Sequence, residues 1–402
     1  MIRILTFSTL YPSSVRPGHG IFVETRLREL VSSGEVEARV VAPVPWFFST
    51  NPKFGEYARI ARTPLRQTRN GFDVQYPRYF LPPAIGMNIA PFLLAMGALP
   101  AVKHLIDAGY DFDVIDAHYY YPDGVAAAIL ARHFKKPFTV TARGSDINLI
   151  SKHLIPRKLM GWAAERASAS IGVSAALTDA MRQLGMPVPR LRTMPNGVDM
   201  TRFRMHPQRD ARAALGWADG PTLLSVGNLV ENKGHHIAIE SLVQLPEFRL
   251  AISGEGPQRQ ALEQLANKLG VSQRLTFLGR VDQVHLAVCY SAADILVLPS
   301  SREGWPNVLL ESMACGTPVV ATRVGGIPEI VNSAQAGRLI SARNASSLVE
   351  GILALWRNLP DKSDVRLIAQ ANSWQRTTDA QLVMFSQIVS VTTRSSAAGS
   401  PA

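Results

Sequence analysis

Apolar residues in this chain come in short, continuous, largely β-branched runs. Each run is followed by a glycine-containing loop and then by apolar residues at helical spacing. Runs that stay apolar throughout are expected of strands covered by helices on both faces. In the first half they fall at 3–9, 38–43, 113–118, 138–143, 169–174 and 191–195. In the second half they fall at 222–227, 249–253, 275–278, 295–299, 318–322 and 337–340. Strands alternating with helices predict an α/β fold built on parallel, doubly wound sheets. The series occurs twice, broken near 197–220 by the polar, arginine-rich "GVDMTRFRMHPQRD". Two Rossmann-like domains facing each other across a cleft are therefore expected. Open parallel sheets take ligands at the carboxyl ends of their strands, so the chemistry should follow directly after the runs.

The first run ends at Tyr11-Pro12 without a small-residue cleavage site, so it reads as a buried strand and not as a signal peptide. Residues 79–102 carry no charge for 24 positions, enough to span a bilayer. Pro82, Pro83, Gly86, Asn88, Pro91, Gly97 and Pro100 interrupt the stretch, which argues against a spanning helix. Ile85, Ile89, Phe92, Leu93 and Met96 share one helical face, so a core helix or one lying on a membrane is expected. Near the end, Leu382, Phe385 and Ile388 mark an amphipathic helix over 377–389, and the small, polar 391–402 reads as a disordered tail.

Composition narrows the class. Of 402 residues 47% are hydrophobic and 18% charged, which excludes wholesale disorder. Cys289 and Cys315 alone cannot build a disulfide framework or a cysteine zinc site, as suits a reducing compartment. The net charge of +11 is concentrated in residues 1–200, with 23 Lys and Arg against 15 Asp and Glu. Its densest stretch is 53–69, where Lys53, Arg59, Arg62, Arg66 and Arg69 face only Glu56. Such a balance suits an anionic membrane surface, an acidic substrate or simple solvation. Nucleic acid is not expected, since no RRM, helix-turn-helix or zinc-finger pattern accompanies the charge.

The strongest chemical signal is "SSREGWPNVLLESMACGTPVVAT" at 300–322. A strand ends at Pro299, a helix begins near Pro306 and Gly316 stops it. Glu303 in the loop and Glu311 in the helix lie near a helix N-terminus. That site attracts phosphate while the carboxylates accept hydrogen bonds from hydroxyls. The plainer alternative, a loop surface charge and a solvated helix charge, stays open here. "DFD" at 111–113 imitates a metal-binding pair of aspartates, yet it precedes a strand and so falls at the edge away from the ligands. No metal site is expected.

Glu303 and Glu311, followed by "CGTPVVAT" and "GGIPEI", resemble the retaining glycosyltransferases of family 4, which have the GT-B fold. The resemblance covers nearly the whole chain, through "RPGHGIFVETRLREL" at 16–30, "DAHYYYPDG" at 116–124, "RGSD" at 143–146, "NGVD" at 196–199, "VGNLVENKG" at 226–234, "SGEGP" at 253–257 and "FLGRV" at 277–281. It implies a sugar transferase that uses a nucleoside-diphosphate sugar and no metal or other cofactor. Glu303, Lys233 and His118 would be the catalytic residues. Lys233 would contact the donor diphosphate, Glu303 the donor sugar, Glu311 the ribose hydroxyls and His118 the distal sugar hydroxyl. Main-chain groups of Gly304, Trp305 and Asn307 would support sugar and phosphate. Gly254, Glu255 and Gly256 would approach the donor, and Arg280 and Val281 would flank the base. Gly18, Gly20 and Asp146 would lie near phosphate or acceptor.

The family often has an arginine where this chain has Asn228, so phosphate neutralisation should rest more on Lys233, with Arg280, Arg302 or Arg143 as candidate substitutes. The implied organisation is an acceptor domain over 1–197, a donor domain over 198–372 and a crossover helix over 373–390 returning to the first domain. The overall pattern resembles bacterial members that build surface polysaccharides. It implies a glycan or lipid-linked acceptor and a cytoplasmic protein, peripheral to the membrane face. A same-fold sugar-nucleotide epimerase and a non-catalytic sugar-nucleotide-binding protein are the alternative readings.

Overall fold

The structure, a computed structural model, describes residues 1–82 and 86–398. It divides into two units, one of Met1–Pro195 with the segment from Gln375 onward, the other of Asn196–Trp374. The sequence placed these divisions after 197 and after 372.

In the first unit eight strands form one sheet, in the spatial order Leu191–Thr193, Ala169–Gly172, Phe138–Ala142, Val114–His118, Ile2–Phe7, Val36–Val41, Phe72–Gln75, Arg66–Arg69. All neighbours are parallel except the last pair. Every residue of Val114–His118 and Phe138–Ala142 is buried, which is why these strands read as unbroken apolar runs. Four strands escaped the sequence pattern. Arg66–Arg69 and Phe72–Gln75 form a hairpin round Asn70-Gly71, both at positive φ (47° and 84°). The two-residue strands Val44–Pro45 and Arg78–Tyr79 pair as a separate ribbon. Three of the four carry too few apolar residues to show a run, and Phe72–Gln75 is short and only alternately buried.

The final helix, Trp374–Ala398, seats Met384 and Phe385 in a core with Ile4, Leu30, Val114, Ile171 and Met194 of the first unit. The Thr377 hydroxyl donates to the Pro195 carbonyl at 2.7 Å where the chain returns. The expected crossover is thus present, but the helix runs on to Ala398 where a disordered tail was expected from 391. Residues 399–402 lie outside the described residues.

Helix Gly86–Asp107 buries Ala90, Leu94, Ala95, Ala98, Val102 and Leu105. It is long and apolar enough to cross a membrane, but this small-residue face packs into the unit. Of the two expectations for the face of Ile89, Phe92, Leu93 and Met96, core side or membrane surface, the structure does not give the first. Phe92 and Met96 are exposed, and Ile85 lies outside the described residues.

The second unit is a wholly parallel six-stranded sheet in the order Leu275–Gly279, Arg249–Ser253, Thr222–Val226, Ile295–Leu298, Val319–Thr322, Gly337–Ile340. Leu223, Leu250, Ile252, Ile295, Val297 and Val320 of the sheet pack with Ile237, Leu242, Leu262 and Ile352 of its helices. Because all strands run one way, the loops after them gather at one edge.

Candidate functional site

Three loops of the second unit interlock at that edge: 227–234, 254–256 and 299–306. A Cβ on Gly254 would sit 1.9 Å from the Gly227 carbonyl oxygen, and one on Gly325 would sit 1.8 Å from that of Glu303. Only glycine fits at either position, and both also have positive φ (153° and 52°). The Ser301 amide donates to the Asn232 carbonyl at 2.8 Å and ties two of the loops together.

On this frame Lys233 Nζ donates to Glu303 Oε1 at 2.5 Å, and Ser300 Oγ donates to the same oxygen at 2.7 Å. The Lys233 side chain keeps 21% of its surface and Glu303 10%. The ammonium is thus held by a carboxylate and still open to an arriving anion. Helix Asn307–Ala314 follows, with no side chain capping its N-terminus. Glu311, in its second turn, is half-buried and accepts from the Tyr290 hydroxyl at 3.0 Å. Burial pushes its carboxyl up to about 7, against the opposing pull of Tyr290 and Arg202. One strand–loop–helix passage therefore carries both glutamates, and the neighbouring loop brings the lysine to the first of them.

Trp305 and Asn307 spend their side chains elsewhere. The Trp305 indole N–H donates to the Asn196 carbonyl at 2.9 Å, and Asn307 Oδ1 accepts from the Asn196 amide at 3.2 Å. Any contact of theirs with a donor would come from the backbone, as would that of Gly304. Asn228, Glu255, Arg280 and Arg302 are exposed, while Gly254, Gly256 and Val281 are partly so.

Two residues of this frame were not legible beforehand. Buried His235 donates from Nε2 to the Asn228 carbonyl at 3.2 Å, and its Nδ1 accepts from Ser225 Oγ at 2.9 Å. A carbonyl can only accept, which fixes the tautomer, and burial lowers the imidazole to about 4. Arg343 donates from Nε to the Pro299 carbonyl at 3.0 Å and from Nη2 to the Glu231 carbonyl at 2.8 Å. It thereby clamps the loop of Lys233 to the loop of Glu303. Neither residue lies in a glycine-rich motif, and a lone His or Arg carries no spacing signal.

The first unit gives its expected site residues different surroundings. His118 is 1% exposed, and both ring nitrogens have internal partners. Nε2 donates to Asp116 Oδ2 at 3.2 Å, and Nδ1 accepts from Arg143 Nη2 at 2.7 Å. Burial lowers the imidazole to about 4, so the ring is neutral. In this geometry it has no nitrogen left for the sugar hydroxyl it was expected to hold. Arg143 also lies 4.9 Å from the Phe22 ring, so its guanidinium has partners within this unit. Asp146, expected near phosphate or acceptor, is fully buried. Its carboxylate accepts from the backbone amides of Tyr120 (2.7 Å), Gly144 (2.7 Å), Arg143 (3.1 Å) and Ile147 (3.1 Å). It shapes the turn and presents nothing to a ligand. Of the loop glycines, Gly18 is exposed and Gly20 is buried at φ 69°. Asp123 fixes the start of that loop, accepting the Thr9 amide at 2.6 Å and the Thr9 hydroxyl at 2.9 Å.

"DFD" is structural. Asp111 pairs with Lys136 at 2.6 Å and Asp113 accepts the Arg3 amide at 2.8 Å, both at the amino end of Val114–His118. Among the described residues no three His, Cys, Asp or Glu side chains converge as a metal site. An open depression of 530 Å³ beside Arg323, Asn332, Arg338 and Glu350 contains none of the expected donor residues.

With the geometry in place, comparison with known proteins is decisive at the family level. Residues 18–202 match the family model "Glycosyltransferase Family 4" and residues 207–374 match "Glycosyl transferases group 1". Over 358 residues the chain is 29% identical to the putative teichuronic acid biosynthesis glycosyltransferase TuaC of Bacillus subtilis, covering 87% of this chain and 88% of that protein. It is 35% identical over 207 residues to the D-inositol 3-phosphate glycosyltransferase of Mycobacterium leprae, 48% of each chain. Among solved structures, sucrose-phosphate synthase from Thermosynechococcus elongatus superposes with a TM-score of 0.81 at 21% identity, over 97% of this chain and 100% of that one. Anabaena HepE in complex with UDP superposes at 0.72 and 20% identity, over 96% and 100%. The fold is GT-B, and the chain belongs to glycosyltransferase family 4.

Proposed function

We propose that this glycosyltransferase moves a hexosyl unit from a nucleoside-diphosphate sugar to a hydroxyl of a glycan or lipid-linked acceptor, with retention at the anomeric carbon. Its work would be the building of cell-surface polysaccharide from the cytoplasmic side. The observation that carries this reading is Lys233 Nζ on Glu303 Oε1 at 2.5 Å, at the end of a parallel sheet and in the loop that leads into the helix of Glu311. In the same-face step the bond from the anomeric carbon to the leaving phosphate oxygen breaks, and its electron pair stays with the diphosphate. The acceptor oxygen bonds to that carbon on the same face, and its proton passes to the leaving phosphate. Lys233 meets the charge that develops on the diphosphate, Glu303 holds the sugar and Glu311 accepts from the ribose. No step draws on a metal.

Two likenesses support the donor and the pathway. HepE was solved with UDP-glucose, at 21% identity to this chain, and TuaC is described as a teichuronic acid biosynthesis enzyme. Removing the cation aimed at a leaving group costs about 10²–10³ in rate. Lys233→Ala should therefore lose about that factor in kcat, with nucleotide binding weakened less. Proton NMR of the first-formed product should show the donor's anomeric configuration. An inverted product, or a Lys233→Ala protein with unchanged turnover, would overturn the reading. Conversion of the sugar nucleotide with no acceptor present would instead favour an epimerase.

A further inference from the structure

Glu311 shares its carboxylate with one buried side chain, Tyr290 of helix Gln283–Ala292. The Tyr290 ring is wholly buried, and its hydroxyl donates to Glu311 Oε2 at 3.0 Å. Among the described residues Oε1 of Glu311 has no partner, on a side chain that stays partly exposed. Tyr290 is itself held from several sides. The Thr317 hydroxyl donates to its carbonyl at 2.6 Å in a buried bond, and Ser312 Oγ donates to the Thr317 carbonyl at 2.8 Å. Ser312 lies beside Glu311 on helix Asn307–Ala314, so these bonds fix the phenol relative to the helix that carries the carboxylate. Phe203 meets the ring edge-on, with centroids 6.1 Å apart.

Burial and the adjacent carboxylate push the Tyr290 hydroxyl far above its ordinary value, so it remains a donor throughout the neutral range. A hydroxyl that donates to a carboxylate favours the ionised form, here against the burial that disfavours it. Arg202, in the loop before helix Gln208–Leu215, favours the same charge and donates to Gln283 at the start of Tyr290's helix. Burial pushes the nearby thiols of Cys315 and Cys289 up to about 12 and about 11, which keeps both neutral. Arg366 of helix Lys362–Ala371 donates to the carbonyls of Met200, Phe203 and Ala314. Tyr290 is thus the group in this surround that both touches Glu311 and is locked in place.

We propose that Tyr290 is a positioning residue for the donor, whose hydroxyl pins Glu311 Oε2 and leaves Oε1 turned to receive a ribose hydroxyl. The role in donor binding rests on the transferase reading; the Tyr290–Glu311 bond does not.

The test compares wild type with Tyr290→Phe, which removes one oxygen and keeps the ring. Carbon NMR of the nucleotide-free protein, labelled at the glutamate carboxyl carbon, follows the titration of Glu311, whose signal is assigned by its loss in Glu311→Gln. The midpoint should lie about 1–2 in pH higher in Tyr290→Phe, because a hydrogen bond to the charged form is gone. Isothermal titration with UDP, GDP and ADP and with their 2′-deoxy and 3′-deoxy forms is the second readout. For the nucleotide that the wild type prefers, Tyr290→Phe should bind about tenfold more weakly at neutral pH, and the deficit should shrink as pH rises. The penalty for removing a ribose hydroxyl should also be smaller in the variant.

A merely structural tyrosine would lower the melting temperature and leave the Glu311 midpoint and the ribose-to-deoxyribose ratio as in the wild type. That result overturns the proposal, as does a raised midpoint with unchanged affinities. Thr317→Val, which loosens the Tyr290 carbonyl without touching its hydroxyl, should move both readouts the same way by less. It decides the matter if Tyr290→Phe does not fold. A wild type that binds none of the nucleotides sinks the donor reading and this role with it. A wild type that binds, beside a Tyr290→Phe that behaves identically, sinks this role alone.

Discussion

Glu311 is the residue whose chemistry depends most directly on its surroundings. Its carboxyl titrates near 7 because burial disfavours the charge, and hydroxyls that donate to it favour the ionised form. A ribose therefore binds best to the deprotonated acid. As pH falls below about 7 the proton competes with the nucleotide, and the dissociation constant should rise by up to about tenfold per unit. In Glu311→Gln this dependence should vanish along with most of the affinity; calorimetric titration at several pH values reads both. Equal affinity from pH 5 to 8 in the wild type would contradict the ribose role. His118 shows the opposite lesson. Its place at the end of a strand was readable in the sequence, and so was Asp116, two residues earlier on the same face of that strand. Its other partner, Arg143, follows the neighbouring strand and is brought to it only by the sheet.

At the scale of elements, the edge that carries Lys233 and Glu303 depends on loops whose relative position is set by a few bonds. Arg343→Ala removes a donor from the Pro299 carbonyl, in a part-buried bond, and one from the Glu231 carbonyl, in an exposed bond that water can replace. A loss of about 0.5–1.5 kcal/mol of stability is expected. Because the clamp also sets the Lys233–Glu303 register, kcat should fall by about tenfold while the donor KM changes little. A purely structural role would lower the melting temperature alone, and steady-state kinetics at a temperature where the variant is fully folded separates the two. Most of the twelve short apolar runs were legible as strands because burial on both faces leaves no polar positions to confuse the period, as in Val114–His118 and Ile295–Leu298; the edge strands Leu191–Thr193 and Leu275–Gly279 are exposed in part. The hairpin at 66–75 was not, since only one of its strands buries any side chain and the other is wholly polar. Its one readable mark was Asn70-Gly71. Spacing alone left the face of Phe92 and Met96 on helix Gly86–Asp107 open between core and membrane surface, for a related reason. A core face made of alanines and one made of Phe and Met look alike in amphipathic spacing, and the smaller residues are the ones that fit against the unit.

Across the whole molecule, the chain leaves the first unit at Pro195 and returns to it after Trp374, so the first core is completed only by the last helix. Phe385, fully buried there, should cost about 3–5 kcal/mol on replacement by alanine. The destabilisation should appear in the melting of the first unit, while a nucleotide-induced shift of the second unit persists in Phe385→Ala. Loss of that shift would mean that the units do not keep separate cores. The family and the fold were readable from motifs in order along the chain; the acceptor was not, because the first unit's motifs serve largely to fix its own turns, as Asp146 does. The central claim is that the second unit binds a nucleoside-diphosphate sugar through Lys233, Glu303 and Glu311. The most direct measurement is isothermal titration of wild type and Glu311→Ala with a panel of nucleoside diphosphates and their sugar conjugates. One base should bind the wild type and be lost or strongly weakened in the variant. If no nucleotide binds, or if the variant binds as the wild type does, the donor site is not where these residues place it.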